Sequence, residues 1–260
     1  MEPGLVRDAL AIVVGFAAGM LSGAIGVGGA VITTPGIRLL GASAFVAVGT
    51  TLPSILPGAV AGTARYAREG LVDWGVVAAA APAGVVAAVA GSLASHSVPG
   101  DGHWLMVLTA VLVGVTAVRM LRPPDEDDPP VGRGRPRSRL RAAGVGGAAG
   151  LLSGLLGVGG GIILVPGLSQ VVGLELKATV ATSLACVGIL AVPSTVTHAA
   201  LGDIDWRLAL LLAVAVVPGA RVGAALSIRA RERRLRLALG AFLAVVAVGY
   251  GVSELTFALR

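Results

Sequence analysis

Residues 15–36 read GFAAGMLSGAIGVGGAVITTPG, and the stretch returns in the second half of the chain, at 146–167, as GGAAGLLSGLLGVGGGIILVPG. Fourteen of the 22 positions are identical. Each copy contains a run of glycines, at residues 26–29 in the first and 157–161 in the second. Consecutive glycines have the largest backbone entropy cost in a helix and provide no side chains to pack. The sequence therefore predicts two matched breaks, each between two shorter helices.

The sequence around these breaks is strongly apolar. Of the 260 residues, 55% are hydrophobic and only 13% are charged, and the mean hydropathy is +0.89. Ordinary globular chains are about 25% charged, so too few polar side chains remain to cover a soluble enzyme. The arginines sit in short runs and aromatics are 3% of the chain, which does not fit the basic groove of a nucleic-acid reader. We therefore expect an all-α polytopic membrane protein whose surroundings are lipid, with no nucleic-acid partner.

The lengths of the uncharged stretches predict how the chain crosses the membrane. A bilayer core of about 30 Å needs roughly 20 helical residues. Six stretches fit one crossing each: residues 39–64, 74–100, 104–118, 178–202, 208–228, which is interrupted only by Arg221, and 237–253. Two others, 9–37 and 142–174, are too long for one crossing and hold the glycine breaks. We expect each of these two to be a broken helix or re-entrant hairpin, which is tolerated at membrane depth only inside protein or beside a wet cavity.

The duplication extends over both halves of the chain. When the alignment is continued with one inserted residue, GLVDW at 70–74 matches GDIDW at 202–206. Residues 1–122 are thus predicted to be transmembrane repeat 1, 123–141 a charged cytoplasmic linker, and 142–260 transmembrane repeat 2.

Loop charge predicts how the two repeats are oriented. The loop at 229–236 has a formal charge of +4, but its counterpart at 96–103 has no Lys or Arg. Lys and Arg favour the cytoplasmic side, so the two loops are expected on opposite sides. The predicted fold is two inverted repeats, each a broken or re-entrant hairpin followed by three transmembrane helices. This architecture is typical of secondary transporters, which bind their substrate near the midplane between the repeats.

The paired Gly-Val-Gly-Gly segments, each preceded by Leu-Ser-Gly and followed by Pro-Gly, resemble the sulfite exporter TauE/SafE family. The likeness runs from about Gly15 to Val252. It implies a multi-pass transporter of the plasma membrane, associated with small sulfur-containing anions such as sulfite and organosulfonates. The resemblance does not identify the anion, the direction of transport or the coupling ion.

Glycines of the two breaks are the first candidates for substrate binding. A helix that restarts after a break points free N–H groups and a positive dipole end into the cavity, which suits an anion. The candidate glycines are Gly26, Gly28, Gly29, Gly157, Gly159 and Gly160. The glycines at four-residue spacing before each break are instead expected to pack helices closely. These are Gly15, Gly19 and Gly23, with Gly146, Gly150 and Gly154.

Repeat-related hydroxyls form the second candidate group. Thr50 and Thr51 match Thr182 and Ser183, and each could donate a hydrogen bond to a sulfite or sulfonate oxygen. The alternative is that a hydroxyl in a membrane helix bonds its own i−4 carbonyl. The sequence leaves both interpretations open.

Two ionisable residues within predicted spans are also candidates. Arg221 could bind the anion, since an intramembrane cation is by default a functional hypothesis; it could also snorkel to the cytoplasmic surface. His198 could take up a proton during transport, or it could form hydrogen bonds near the membrane interface. Asp73 and Asp205 are expected to cap the following helices, beside interfacial Trp74 and Trp206.

The expected function is secondary transport of a small sulfur-containing anion by alternating access. A transporter of Na⁺ or another cation and a non-transporting membrane scaffold are the alternatives. The spans hold no Asp or Glu that would suit a divalent metal, and no protease or hydrolase motif is present. We therefore expect no enzyme activity, no bound metal and no cofactor, and leave open whether identical chains form an oligomer.

Overall fold

The computed structural model describes residues 4–39, 41–95, 138–156 and 160–231, with isolated positions within 111–121 and 233–249. Every regular element in the four continuous ranges is helical. The helices are α1 (Leu5–Ile25), α2 (Ala30–Leu39), α3 (Ala44–Arg68), α4 (Trp74–Ser95), α5 (Arg139–Leu156), α6 (Gly161–Pro166), α7 (Leu176–Leu201) and α8 (Trp206–Arg229). A π-helical segment, Gly167–Val172, continues α6.

Within this described part, five helices are long and apolar enough to cross a membrane: α1, α3, α4, α7 and α8. The last four correspond to the predicted spans at 39–64, 74–100, 178–202 and 208–228. The other two predicted spans, 104–118 and 237–253, are described only at isolated positions, and most of the predicted linker lies outside the described residues. The all-helical membrane fold is confirmed, and α5 already begins at Arg139, before the predicted end of the linker at Arg141.

The first glycine break is the turn of a helical hairpin. Gly26 ends α1 in the left-handed conformation, with φ of +74°. The chain then reverses along α1, because a Cβ at Gly29 would lie 3.0 Å from the Ala18 carbonyl oxygen and one at Gly36 would lie 2.8 Å from the Val14 side chain. In the second copy Gly160 similarly packs on Ala149 of α5.

The arms of the first hairpin are unequal, which the sequence did not predict. Two shorter helices were expected, but α1 has 21 residues and α2 has 10. The uncharged stretch begins only at residue 9, yet α1 starts at Leu5 and includes Arg7 and Asp8. These charges are paired with Asp205 (3.4 Å) and Arg207 (2.6 Å) at the start of α8, so α1 reaches the length of a full span.

Two helix pairs related by the repeat pack closely through glycine. Helix α1 runs parallel to α8, with Gly15 on Leu212, Gly19 on Val216 and Gly23 on Ala220. Helix α4 runs parallel to α5 in the same way.

Between α5 and α4, Gly146 packs on Ala80, Gly150 on Gly84 and Gly154 on Ala88. The two sets of contacts correspond through the alignment of the repeats, since each contact in one pair has its counterpart in the other. The predicted packing role of these six glycines is confirmed.

Helices α3 and α7, which are themselves related by the repeat, cross at the centre of the bundle. Gly62 contacts Leu184, Gly188 contacts Ala59, and Gly49 contacts Asp203 just after α7. Residue numbers therefore rise along one helix as they fall along the other, so α3 and α7 are antiparallel. The inverted orientation of the repeats in a membrane stays a prediction.

Candidate functional site

The two glycine breaks contact each other. Gly161, the first residue of α6, lies against the backbone of Val27 so closely that a Cβ at Gly161 would collide with it. Gly28 beside Val27 has φ of +78°, and Gly160 beside Gly161 has φ of +65°. Predicted site residues Gly157 and Gly159 lie outside the described residues. The structure thus brings the described parts of both breaks together at one place.

The hairpins reach this place from opposite ends of the bundle. The Tyr66 hydroxyl, near the end of α3, donates to the Gly23 carbonyl oxygen at 2.7 Å. His198, near the end of α7, lies with Nε2 3.4 Å from the Gly154 carbonyl oxygen. Since α3 and α7 are antiparallel, Tyr66 and His198 belong to opposite ends of the bundle, and α1 and α5 run toward the breaks in opposite directions.

Helix α2 restarts directly after the first break. The Gly29 carbonyl accepts from the N–H groups of Ile32 and Thr33, both at 3.0 Å. The earlier N–H groups of the first turn, on Ala30 and Val31, have no intrahelical acceptor. Helix α6 starts in the same way, with its first bonds to the Gly160 carbonyl. These starts are the positive ends of helix dipoles.

One buried hydroxyl contacts the first break, and two others join α2 to α3. Ser183 Oγ donates to the Gly26 carbonyl oxygen at 2.7 Å, and so joins α7 to the turn. Thr34 of α2 donates to Thr51 Oγ1 of α3 at 3.3 Å. All three side chains are buried. Ser183 and Thr51, both predicted from the sequence, are therefore placed next to hairpin elements.

Thr50 and Thr182 lie elsewhere, at the junctions between the repeats. Thr50 Oγ1 accepts from the Asp205 N–H at 2.9 Å, and Thr182 Oγ1 accepts from the Asp73 N–H at 3.0 Å. The two bonds are repeat equivalents and each connects one repeat to the other. Substrate contact by these two hydroxyls stays a prediction. The bond seen at each oxygen is one accepted from the other repeat, and not a bond donated to the carbonyl four residues earlier in its own helix.

The predicted caps are confirmed. Asp73 Oδ1 accepts from the Val76 N–H and Asp205 Oδ1 from the Leu208 N–H, each at 3.1 Å. The neighbouring Trp74 and Trp206 side chains are exposed, as an interfacial position requires.

The two ionisable candidates differ in burial. Arg221 is exposed on α8, on the side away from Ala220, which packs on Gly23 of α1. The structure does not bring it to the breaks. His198 is fully buried, with Nδ1 2.9 Å from Asp203 Oδ2. An ion-binding role for Arg221 and a proton-linked role for His198 stay predictions.

The first break adjoins a cavity of about 10 Å³, close to the least volume that one water molecule needs. It is lined by Leu21, Ser22, Ile25, Val27, Gly28, Gly29, Val31 and Ile32. A multi-atom anion does not fit there without movement of the hairpin. Among the described residues there is also no group of three or more His, Cys, Asp or Glu side chains that could hold a metal ion.

The residues of this region that were not predicted from the sequence include three with polar contacts. Thr34 contacts Thr51, Tyr66 contacts Gly23, and Asp203 contacts His198. One signal was present: the repeat alignment that matches Asp73 with Asp205 also makes Tyr66 the counterpart of His198. Both have polar side chains that meet the carbonyl three residues before a break.

The paired breaks fit a known family. A family model described as Sulfite exporter TauE/SafE matches residues 11–250. The chain belongs to this family.

Curated relatives of this TauE/SafE chain are similar over most of their length. A "Probable membrane transporter protein" of Xylella fastidiosa (strain 9a5c) is 28% identical over 244 residues, which cover 90% of each chain. The "Probable membrane transporter protein YjnA" of Bacillus subtilis (strain 168) is 26% identical over 247 residues, covering 90% of this chain and 96% of the relative. No solved structure matches.

The family and the relatives make this TauE/SafE chain a membrane transporter and not an enzyme. With its apolar helices it is a multi-pass protein of the cell membrane.

Proposed function

We propose that the chain exports a small sulfur-containing anion, such as sulfite or an organosulfonate, by alternating access between inverted repeats. The observation that carries the proposal is the contact between the breaks, at Val27 and Gly161. There the start of α2 and the buried Ser183 hydroxyl, which contacts Gly26 beside Val27, supply hydrogen-bond donors. The family description supports a sulfur oxyanion as the substrate.

The donors suit an anion better than a cation. Amide N–H groups at a helix start and hydroxyl groups can all donate to oxyanion oxygens. The described carboxylates lie at helix ends or in loops, at Asp8, Glu69, Asp73, Glu175, Asp203 and Asp205. No described carboxylate therefore lies at the breaks to neutralise a bound cation.

Substrate entry requires the present hydrogen bonds to exchange. Ser183 now donates to the Gly26 carbonyl, so it must turn from this carbonyl to donate to an anion. The small cavity at the break must widen at the same time. Both changes follow if the first hairpin moves relative to α7.

The glycine-packed pairs α1–α8 and α4–α5 are the units that move. Each pair combines one helix from each repeat, and its backbones touch along several turns. Packed interiors resist gradual deformation, so each pair should shift as a body around the α3–α7 crossing. Moving one negative charge outward gains about 2.3 kcal/mol per 100 mV of inside-negative potential, and export therefore needs no coupling ion.

Flux measurements in proteoliposomes test the substrate class. Sulfite, thiosulfate, sulfoacetate, taurine and sulfate are supplied separately, with Na⁺ and empty liposomes as comparisons. We expect saturable flux of at least one sulfur-containing anion, faster when the potential drives negative charge in the direction of export. Flux of Na⁺ alone would favour a cation transporter, and flux of none of them a membrane scaffold.

Replacing Ser183 with alanine should reduce anion flux by roughly tenfold or more, since a hydrogen bond to a charged group contributes about 1.5–3 kcal/mol. The matched control is Ser194→Ala on the same helix. Ser194 is also fully buried, but its hydroxyl donates to its own i−4 carbonyl on Leu190 at 3.2 Å. Initial rates for the two variants, normalised to reconstituted protein, give the comparison. Equal losses would show that Ser183 acts only in packing.

A further inference from the structure

An open groove runs beside α5. Its other wall is the return arm, defined as α6 together with the π-helical segment that continues it (residues 161–172). The groove has a volume of about 500 Å³, and its lining includes Gly144 and Ala148 of α5 and Ile163 of the return arm. Gly144 and Ala148 are exposed, and a Cβ at Gly144 would have no heavy atom within 4 Å. Because α5 packs along α4, a helix of membrane-spanning length, its exposed side faces lipid and the groove opens to the bilayer.

The two walls of the groove run antiparallel. Gly160 packs on Ala149 and Gly167 packs on Val145, so residue numbers rise along the return arm as they fall along α5. The first turn of α5 and the end of the return arm therefore lie at the same end of the groove.

That end of the groove is polar, and the rest of its lining is apolar. Arg141 in the first turn of α5 and Gln170 near the end of the return arm both line the groove, and both are exposed. The other described lining residues have apolar side chains or are glycine. The ion pairs found within the described ranges do not include Arg141. Its guanidinium is therefore available to a partner outside the protein.

The polar end lies at the level of the membrane interface. Helices α4 and α5 are parallel, with Gly146 packed on Ala80. Arg141 precedes Gly146 by five residues and Trp74 precedes Ala80 by six, so the two differ in level by one residue, or about 1.5 Å of helix. The Trp74 side chain is exposed, and exposed tryptophans mark the headgroup level of a bilayer. Arg141 thus lies at the depth of the lipid phosphates.

This end of the bundle is the one expected in the cytoplasm. Residues 69–73 connect the end of α3 to the start of α4, so the start of α4 lies at the same end as Arg65 and Arg68. Lys and Arg favour the cytoplasmic side, and the cytoplasmic leaflet carries negatively charged lipids. The groove therefore opens to a leaflet that contains anionic phospholipid.

The matching surface of the first repeat differs at both of these features. When the repeat alignment is carried back along the helix, Arg141 matches Leu10 and Gly144 matches Val13. Leu10 is 47% exposed and Val13 is 64% exposed. The equivalent surface of α1 thus has no charge at the first of these positions, and a branched side chain occupies the second. The cation and the open groove occur together in the second repeat.

We propose that the groove binds an anionic phospholipid of the cytoplasmic leaflet. The lipid phosphate accepts hydrogen bonds from the Arg141 guanidinium and the Gln170 amide, since both groups suit phosphate oxygens. One acyl chain lies along the apolar wall, over Gly144 and Ala148. A free phosphate ion would leave this wall uncovered, whereas a phospholipid covers the polar and the apolar part together. The proposal does not depend on which anion is transported.

The first test measures lipid binding to the purified, delipidated protein by native mass spectrometry. Dioleoyl phosphatidylglycerol is titrated, with dioleoyl phosphatidylcholine and inorganic phosphate as separate arms. We expect a saturable phosphatidylglycerol adduct whose affinity falls by roughly tenfold or more in Arg141→Gln, because a hydrogen bond to a charged group is lost. Arg139→Gln is the matched control, since Arg139 is exposed in the same turn but does not line the groove.

Three results of this titration would each overturn the proposal. An equal loss of affinity in Arg139→Gln would show only a general attraction of lipid to a basic surface. Equal affinity for phosphatidylcholine would show that the charge of the headgroup is not recognised. Inorganic phosphate that displaces the lipid at equal concentration would show an anion site that does not use the apolar wall.

The second test locates the acyl chain. Phosphatidylglycerol with a photoreactive diazirine in its acyl chain is cross-linked to the reconstituted protein, and the labelled peptides are identified. We expect labelling to concentrate at residues 144–148 and 163–171. Gly144→Leu fills the groove and should reduce this labelling by roughly fivefold or more, since apolar contact with the chain is lost. Val13→Leu, at the matched position of the first repeat, should leave it unchanged.

The thermal midpoint of each variant without lipid shows whether it is folded, and both Arg141 and Gly144 are exposed positions. If one of the two variants does not fold, the other still decides. Labelling spread evenly over the lipid-facing helices, or unchanged in Gly144→Leu, would overturn the proposal. A dimer that is lost in Gly144→Leu, with no lipid adduct in the wild type, would assign the groove to a second copy of the chain instead.

Discussion

Replacing Gly150 with alanine should destabilise the folded protein by roughly 1–3 kcal/mol, the usual cost of forcing a methyl group into a packed interior. A Cβ at Gly150 would lie 2.7 Å from the Gly84 Cα and collide with the Gly84 carbonyl. The obstacle is backbone, so no side chain can rotate away. Helices α4 and α5 must separate along their whole contact, and the thermal midpoint should fall by several degrees.

Gly144→Ala is the matched control on the same helix. A Cβ at Gly144 would have no heavy atom within 4 Å, and alanine is favoured over glycine in a helix interior by about 0.5–1 kcal/mol. This variant should therefore be slightly more stable than wild type, opposite in sign to Gly150→Ala. Thermal unfolding of the purified protein in detergent, monitored by circular dichroism, gives both values. A Gly150→Ala midpoint at or above that of Gly144→Ala would show that the helices are not in backbone contact.

Local patterns in the sequence were sufficient for the breaks, the packing glycines and the caps. Backbone entropy forces helices to end at glycine runs, and small residues four apart form one face of a helix. An aspartate before a helix satisfies the free N–H groups of its first turn. Each rule involves only neighbouring residues, which is why Gly26 ends a helix, Gly150 packs between helices and Asp205 caps a helix as predicted.

Features that depend on distant partners were not predicted. The length of α1 depends on Arg7 and Asp8 being paired with Asp205 and Arg207, which belong to the second repeat. A span predicted from uncharged residues alone ends where a charged residue begins. The sequence does not show that Arg7 and Asp8 have partners in the other repeat, so the predicted span was too short.

For the candidate site, the sequence predicted which residues are candidates but not which partners their side chains contact. The repeat alignment made both Thr50 and Thr51 candidates for substrate binding, although their side chains contact different partners. Thr50 accepts from Asp205 of the other repeat, and Thr51 accepts from Thr34 of the adjoining hairpin. Adjacent residues on a helix face different directions, and only packing decides which direction leads to the breaks.

Labelling from the two sides of the membrane should place repeat-related positions 69 and 201 on opposite faces. Glu69 follows α3 and Leu201 ends α7; both are exposed, and they are counterparts in the alignment that matches Asp73 with Asp205. Because α3 and α7 are antiparallel, their ends lie at opposite ends of the bundle. A parallel arrangement of the repeats would put them at the same end.

Charge predicts which face each position occupies. Arg65 and Arg68 lie at the end of α3. At the same end of the bundle, Lys177 in the first turn of α7 donates to the Ile228 carbonyl oxygen at 2.8 Å, next to Arg229. The opposite end holds Asp203 and the pairs formed by Arg7 with Asp205 and Arg207 with Asp8, in which positive and negative charges balance. The end with the excess of Lys and Arg is expected in the cytoplasm.

Single cysteines at Glu69→Cys and Leu201→Cys, in a Cys186→Ala background, make this an all-or-none measurement. In intact cells a membrane-impermeant maleimide should label position 201 and leave position 69 unlabelled; in inside-out vesicles the pattern should reverse. Cys186 is buried, so its removal takes away background without touching an exposed surface. Labelling of both positions from one side would mean that the repeats are not inverted, and alternating access through the two opposed hairpins would then have no structural basis.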